Sequence, residues 1–351
     1  MVNPVAAEMA ARILALPPPA SGDLYEGAAG IAVFFAELAG RDSSYRAPAR
    51  RFTEQAAAWA AANGALPGFH GGAPGAHWAV RRACQLLAVS PPAMPVLEPG
   101  PGRGDIVAGD AGTLIAFIAL GLRQQAAVIA HRIRSTGGET ALGRAWPASH
   151  PAPGLAHGAS GVAWALLEAD PGHPSAHEGF LFERAWFDQP GRTWRSNQPP
   201  HGTVPLSWCH GLTGIALTRL RAFVLTGRPE CGAEAAVAAA WLSASAERVL
   251  AGRPDAWEER NSSVCHGIAG TVDALLYAGQ ILADTRYIQS AQRLWSAAIA
   301  TGTWLCGTEE QTPDPGFMLG YAGMGLLALR LDRPEVTPPL GLWPAGYSTS
   351  E

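Results

Sequence analysis

Short apolar runs with no polar face recur along the chain, each preceded by a glycine-x-x-glycine turn. Residues 31–36, 215–217 and 326–329 are apolar on every side, which predicts helices buried all round. The stretches between such runs are patterned differently. Residues 50–62 and 287–300 keep Arg, Gln and Glu on one side and Ala, Leu and Trp on the other, as half-exposed helices do. The turn itself occurs seven times, with first glycines at Gly27, Gly72, Gly109, Gly158, Gly211, Gly267 and Gly320 and second glycines three residues later. Successive first glycines lie 37 to 56 residues apart, room for two helices and their loops.

Buried helices alternating with half-exposed ones predict an all-α fold: an α/α toroid of about seven inner and seven outer helices circling one axis. Glycine suits the repeated turn on two counts, tolerance of positive φ and the lack of a Cβ where helices approach closely. No run of alternating strands stands out. Residues 90–104 and 170–206, rich in Pro and Gly, read as long loops. Repeats continue on both sides of them, so residues 1–351 are expected to form a single domain.

Composition narrows the function. The 351 residues are 48% hydrophobic and 15% charged, which excludes a disordered chain. The net charge of −4 offers no electrostatic case for nucleic acid. All 25 basic residues are arginine, so Schiff-base, P-loop and lysine-base chemistry are excluded. No uncharged run is long enough to span a membrane, and the first residues lack the basic start of a secretory signal. Five cysteines, Cys84, Cys209, Cys231, Cys265 and Cys306, are too few and odd for a disulfide scaffold. A cytoplasmic protein is expected.

In-phase repeats place equal offsets from the first glycine at equivalent positions. Cys209 and Cys265 both lie two residues before their glycine and are each followed by histidine, His210 and His266. Their repeats are neighbours around the ring, so Cys209, Cys265 and His266 form a candidate zinc site with a fourth position open. Two thiolates neutralise most of the metal's charge, which suits it to hold a third, substrate thiolate rather than to make hydroxide. For a thiolate adding to an electron-poor alkene, His157, one residue before Gly158, is matched to protonating the resulting enolate. Asp105, four before Gly109, is placed to orient that imidazole, although a turn-capping role is an equally good local reading, because Asp23 shares the offset. His70 shares the cysteine offset in a distant repeat and reads as structural or substrate-lining. His210 is open between metal support, substrate contact and no role. Cys84, Cys231 and Cys306 match no such phase and read as small buried hydrophobes.

Trp208-Cys209-His210-Gly211, Cys265-His266-Gly267, Ala156-His157-Gly158 and the Asp105 segment together resemble the lanthionine synthetase C-like family. The resemblance runs through all seven repeats. It implies an α-toroid and a zinc-dependent cyclase: a precursor-peptide cysteine adds to dehydroalanine or dehydrobutyrine to close a lanthionine or methyllanthionine ring. It implies zinc on Cys209, Cys265 and His266, with His157 and Asp105 in proton transfer. His210 stands where some of these cyclases carry tyrosine, and it and residues 182–188 look more like the cyclase part of the larger synthetases. With no dehydratase or kinase region seen, a separate dehydratase is expected to supply the dehydrated precursor peptide. Two rivals share the residues: a family member that conjugates glutathione or another thiol to dehydrated residues, and a non-catalytic zinc-bearing peptide scaffold. A carbohydrate-active α/α barrel needs a carboxylate pair and leaves the cysteine phase unexplained.

Overall fold

The structure is a computed structural model that describes residues 2–93, 97–100, 102–146, 152–196, 202, 204–252, 261–335 and 338–345. In chain order its helices are α1 (Pro4–Ala15), α2 (Ala28–Ala39), α3 (Arg46–Ala62), α4 (Ala73–Leu86), α5 (Asp110–Ala119), α6 (Arg123–Thr136), α7 (Ala159–Ala169), α8 (Pro174–Arg184), α9 (Leu212–Thr226), α10 (Pro229–Leu250), α11 (Ile268–Ile281), α12 (Thr285–Thr301) and α13 (Tyr321–Asp332). Seven of them, α2, α4, α5, α7, α9, α11 and α13, begin directly after the first glycine of a repeat turn and are buried along most of their length. These are the inner helices. They pack side by side in sequence order, and α13 closes the ring on α2. Outside them stand α1, α3, α6, α8, α10 and α12, each burying one stripe; in α12 it is Ser290, Ala291, Leu294, Trp295 and Ala298.

Among the described residues the outer layer therefore has six helices. The stretch between α4 and α5 is the shortest repeat interval, and its described residues are not helical. This agrees with the loop expected at 90–104. The loop expected at 170–206 is corrected: it contains α8, started by His173 as N-cap with Pro174 behind it, and a two-residue hairpin of β3 (Phe187–Asp188) with β4 (Thr193–Trp194). A second hairpin pairs β1 (Gly138–Thr140) with β2 (Gly143–Ala145). No helix among the described residues is long and apolar enough to cross a membrane.

The glycines work by space rather than by handedness. The seven first glycines have φ between −94° and −135° with extended ψ, and none of the repeat glycines has positive φ. A Cβ at a second glycine, however, would strike the carbonyl oxygen six residues earlier: 1.6 Å from Phe69 O at Gly75, 1.9 Å from Leu155 O at Gly161 and 2.0 Å from Phe317 O at Gly323. The chain entering each inner helix folds back across it too closely for any side chain.

That fold-back aligns the seven turns into a closed girdle of backbone hydrogen bonds. Leu24 N donates to His70 O, Phe69 N to Ile106 O, Ile106 N to Ala156 O, Ala156 N to Cys209 O, Trp208 N to Cys265 O, Cys265 N to Met318 O, and Met318 N to Tyr25 O, all between 2.7 and 3.0 Å. Each repeat thus hands one bond to the next, and the last returns to the first. The residues three before each glycine, Leu24, Phe69, Ile106, Leu155, Trp208, Val264 and Phe317, are at most 1% exposed. Each such burial stabilises by about 1.5–3 kcal/mol. His70 meets both Trp208, at 5.0 Å, and Phe317, at 6.3 Å between ring centroids, so side chains of non-neighbouring turns meet in the middle of the ring.

From the other side the interior is filled by residues 340–345. Trp343 stacks on Phe317 at 4.8 Å and tilts against Trp78 at 5.4 Å. The Trp208 indole N–H donates to Gly341 O at 2.8 Å, and Gly341 N to Asp273 at 3.0 Å. Between the turns and residues 340–345 the middle of the ring is packed.

Candidate metal centre

The turns before α9 and α11 carry the two cysteines, and local hydrogen bonds shape both turns alike. Ser207 Oγ accepts from His210 N at 3.2 Å, and Ser263 Oγ accepts from His266 N at 3.4 Å. The 2.7 Å bond from Trp208 N to Cys265 O holds the two turns together. Cys209 is half-buried and Cys265 buried, and their sulfurs share a hydrogen bond. That bond pushes the Cys209 thiol down to about 5 against the cost of its burial, with help from His210, Ser207 and His266. Cys265 is pushed up, first by the same bond and then by burial. The two thiols shift in opposite directions through one another, so the pair titrates as a unit. The N-termini of α9 and α11 follow closely, and their dipoles favour negative sulfur there.

A third contact comes from the first repeat. Tyr25 Oη lies 3.2 Å from Cys265 Sγ. Burial, then the two cysteines, push its phenol far above the ordinary range, so it is a hydrogen-bond donor at any working pH. His266 is half-buried, with Nε2 3.0 Å from Gly307 O. Among the described residues no three His, Cys, Asp or Glu side chains stand together closely enough to hold a metal as placed. The structure brings the two sulfurs together, while His266 flanks them, turned to a carbonyl. The donor set nevertheless fits zinc. Two adjacent thiols and a flanking imidazole are zinc ligands by chemistry, and the His266 ring is held through Nε2 by Gly307 O, the usual backbone support of a zinc histidine.

The structure brings His157 and Asp105 together. His157 Nδ1 is 3.3 Å from Asp105 Oδ2, with Asp105 buried and the imidazole half-exposed. The carboxylate raises the imidazole pKa, by its hydrogen bond first and also by its charge, against the opposing effect of burial. The turn-capping reading holds too: Asp105 Oδ1 accepts from Ala108 N at 2.8 Å, as Asp23 Oδ1 accepts from Glu26 N at 3.0 Å. One carboxylate does both tasks, one oxygen each. The His157 ring stacks on His210 at 5.2 Å, which joins the histidine turn to the first cysteine turn.

The family model for lanthionine synthetase C-like proteins matches residues 18–344. The chain belongs to the lanthionine synthetase C-like family. Among solved structures it is similar to nisin cyclase, with a TM-score of 0.68 over 94% of this chain and 93% of that one at 16% identity. At that identity the likeness shows the fold, a helical toroid. Comparison with curated protein sequences finds no match.

In this lanthionine synthetase C-like chain, His70 takes the structural side of its two readings. It is 1% exposed, burial lowers its pKa to about 3, and its carbonyl accepts from both Leu24 and Tyr25. Cys84, Cys231 and Cys306 are buried, and burial raises each thiol, Cys306 to about 11. Two contributions were not anticipated from the sequence. Tyr25 shares the cysteine offset, and that phase was the available signal. Glu183, fully buried, accepts from Gly154 N at 2.5 Å and from Ser160, and pairs with Arg219 at 2.8 Å beneath the His157 turn. Arg219 also bonds Glu234 at 2.6 Å and lies 4.0 Å over the Phe180 ring. No repeat offset marks this network.

Proposed function

We propose that the protein is a zinc-dependent lanthipeptide cyclase, which adds a cysteine thiolate of a dehydrated precursor peptide to dehydroalanine or dehydrobutyrine. The observation that carries this reading is the meeting of Cys209 and Cys265 from adjacent turns, one turn away from the Asp105-supported His157. Zinc, when bound by Cys209, Cys265 and His266, supplies the Lewis acidity that keeps a substrate thiol deprotonated near neutral pH.

The protein's residues then do three things. Cys209 and Cys265 provide the anionic ligand pair, and Gly307 O fixes the His266 ring. Asp105 occupies Nδ1 of His157, which leaves Nε2 as the position that exchanges a proton with substrate. When the substrate sulfur bonds the β-carbon, the alkene pair becomes an enolate, and protonated His157 delivers a proton to the α-carbon. The raised pKa keeps a protonated fraction available near neutrality. Dehydration of the precursor peptide precedes this step, and five free cysteines suit a cytoplasmic setting.

Cyclisation leaves peptide mass unchanged, so the assay counts free thiols by alkylation of a dehydrated Cys-containing peptide. Loss of free thiol with the native protein, absent in His157→Ala protein that retains zinc, supports the reading. A glutathione adduct in place of ring closure establishes the conjugating enzyme instead. Retained zinc with no thiol consumed from any substrate establishes the scaffold.

A further inference from the structure

The proposed reaction creates a selectivity problem. Ligand thiolates of the protein and the thiolate of the substrate stand near an alkene that accepts any of them, and only the substrate's should react. Cys265 Sγ is engaged by the Tyr25 hydroxyl at 3.2 Å. Tyr25 is itself pinned by the girdle: its N–H donates to His70 O, and its carbonyl accepts from Phe317 N and Met318 N. Its ring also meets His70 edge-on at 6.3 Å. The backbone that carries the ring is therefore fixed on both sides, and the ring itself rests against His70. A sulfur lone pair that accepts a hydrogen bond is a weaker nucleophile, because the bond must break before a carbon–sulfur bond can form.

We propose that Tyr25 is a positioning residue that shields Cys265 from alkylation by the enzyme's own substrate, its hydroxyl occupying a sulfur lone pair so that the incoming thiolate is the nucleophile. The inference rests on the zinc-cyclase reading. In the alkylation so prevented, Cys265 Sγ bonds the β-carbon of a dehydro residue, the alkene pair moves to the α-carbon as an enolate, and water supplies the proton. Nothing leaves, so the protein gains the full mass of the electrophile. Tyr25→Phe separates the hydroxyl from the burial of Cys265, because it keeps the ring and its packing and removes only the donor.

The test compares native and Tyr25→Phe proteins, each loaded with zinc and incubated with the methyl ester of N-acetyl-dehydroalanine, by intact mass and peptide mapping. Cobalt-substituted samples are compared by absorbance. The expected result is an adduct on Cys265 forming about tenfold faster or more in the variant, from the size of a hydrogen bond to a charged acceptor. The sulfur-to-cobalt charge-transfer band should also move to longer wavelength, as a sulfur freed of its donor is easier to ionise. A metal-loaded variant with native adduct rate and an unmoved band overturns the role of Tyr25 while leaving the cyclase reading intact. So does faster modification confined to Cys209. Failure of the native protein to bind either metal overturns the zinc reading and this inference with it.

Discussion

Asp105 presents one carboxylate oxygen to its own turn and the other to His157 in the next repeat: Oδ1 accepts from Ala108 N at 2.8 Å, and Oδ2 lies 3.3 Å from His157 Nδ1. The first bond fixes the carboxylate, so the second has a defined direction.

A pH dependence follows. The folded pKa of His157 is raised above its ordinary 6.5 by Asp105. The stabilisation from this contact is thus full below pH 6.5 and is lost as pH rises through the folded value. Cyclisation that needs protonated His157 falls over the same rise. In Asp105→Asn the support is lost, so the alkaline limb of the pH–rate profile moves to lower pH, and the His157 resonance titrates at lower pH by NMR. An unmoved titration would remove Asp105 from the mechanism.

Metal content gives a second check. Native protein should carry about one zinc per chain. Cys209→Ala and Cys265→Ala should lower that to near background, and chelation should lower the melting temperature of native protein only. Equal zinc in native protein and both variants would place the metal elsewhere.

The repeat glycines can be tested by contrast. Gly161→Ala puts a Cβ 1.9 Å from Leu155 O, a backbone atom that cannot yield cheaply. It should cost about 1–3 kcal/mol or more in urea denaturation. Gly64→Ala meets nothing within 4 Å and should stay within about 0.5 kcal/mol of native.

Glu183→Gln tests the support beneath the His157 turn. The substitution keeps volume but leaves the buried Arg219 with Glu234 as its remaining carboxylate. A loss of about 3 kcal/mol is expected by chemical denaturation. Because Gly154 N bonds the same carboxylate, cyclisation should fall together with stability. A variant as stable as native protein would show that the buried pair contributes no net stability.

The sequence alone determined the ring and its phase. Glycine spacing and all-round apolar runs define a repeat, and a repeat whose neighbours stack alike puts Cys209 beside Cys265, while the family resemblance pairs Asp105 with His157. These are contacts between successive units, which periodicity can reach. What tertiary structure decided lies beyond nearest neighbours or outside the period. Tyr25 reaches Cys265 because the seventh turn hands its hydrogen bond back to the first, and that closure depends on the summed rotation of all the helix pairs. Residues 340–345 became core because a ring leaves an interior to fill, a demand invisible in their own short apolar pattern. The orientation of His266 toward Gly307 is likewise a choice between two faces of one imidazole, made by a carbonyl forty-one residues away that no local pattern could supply.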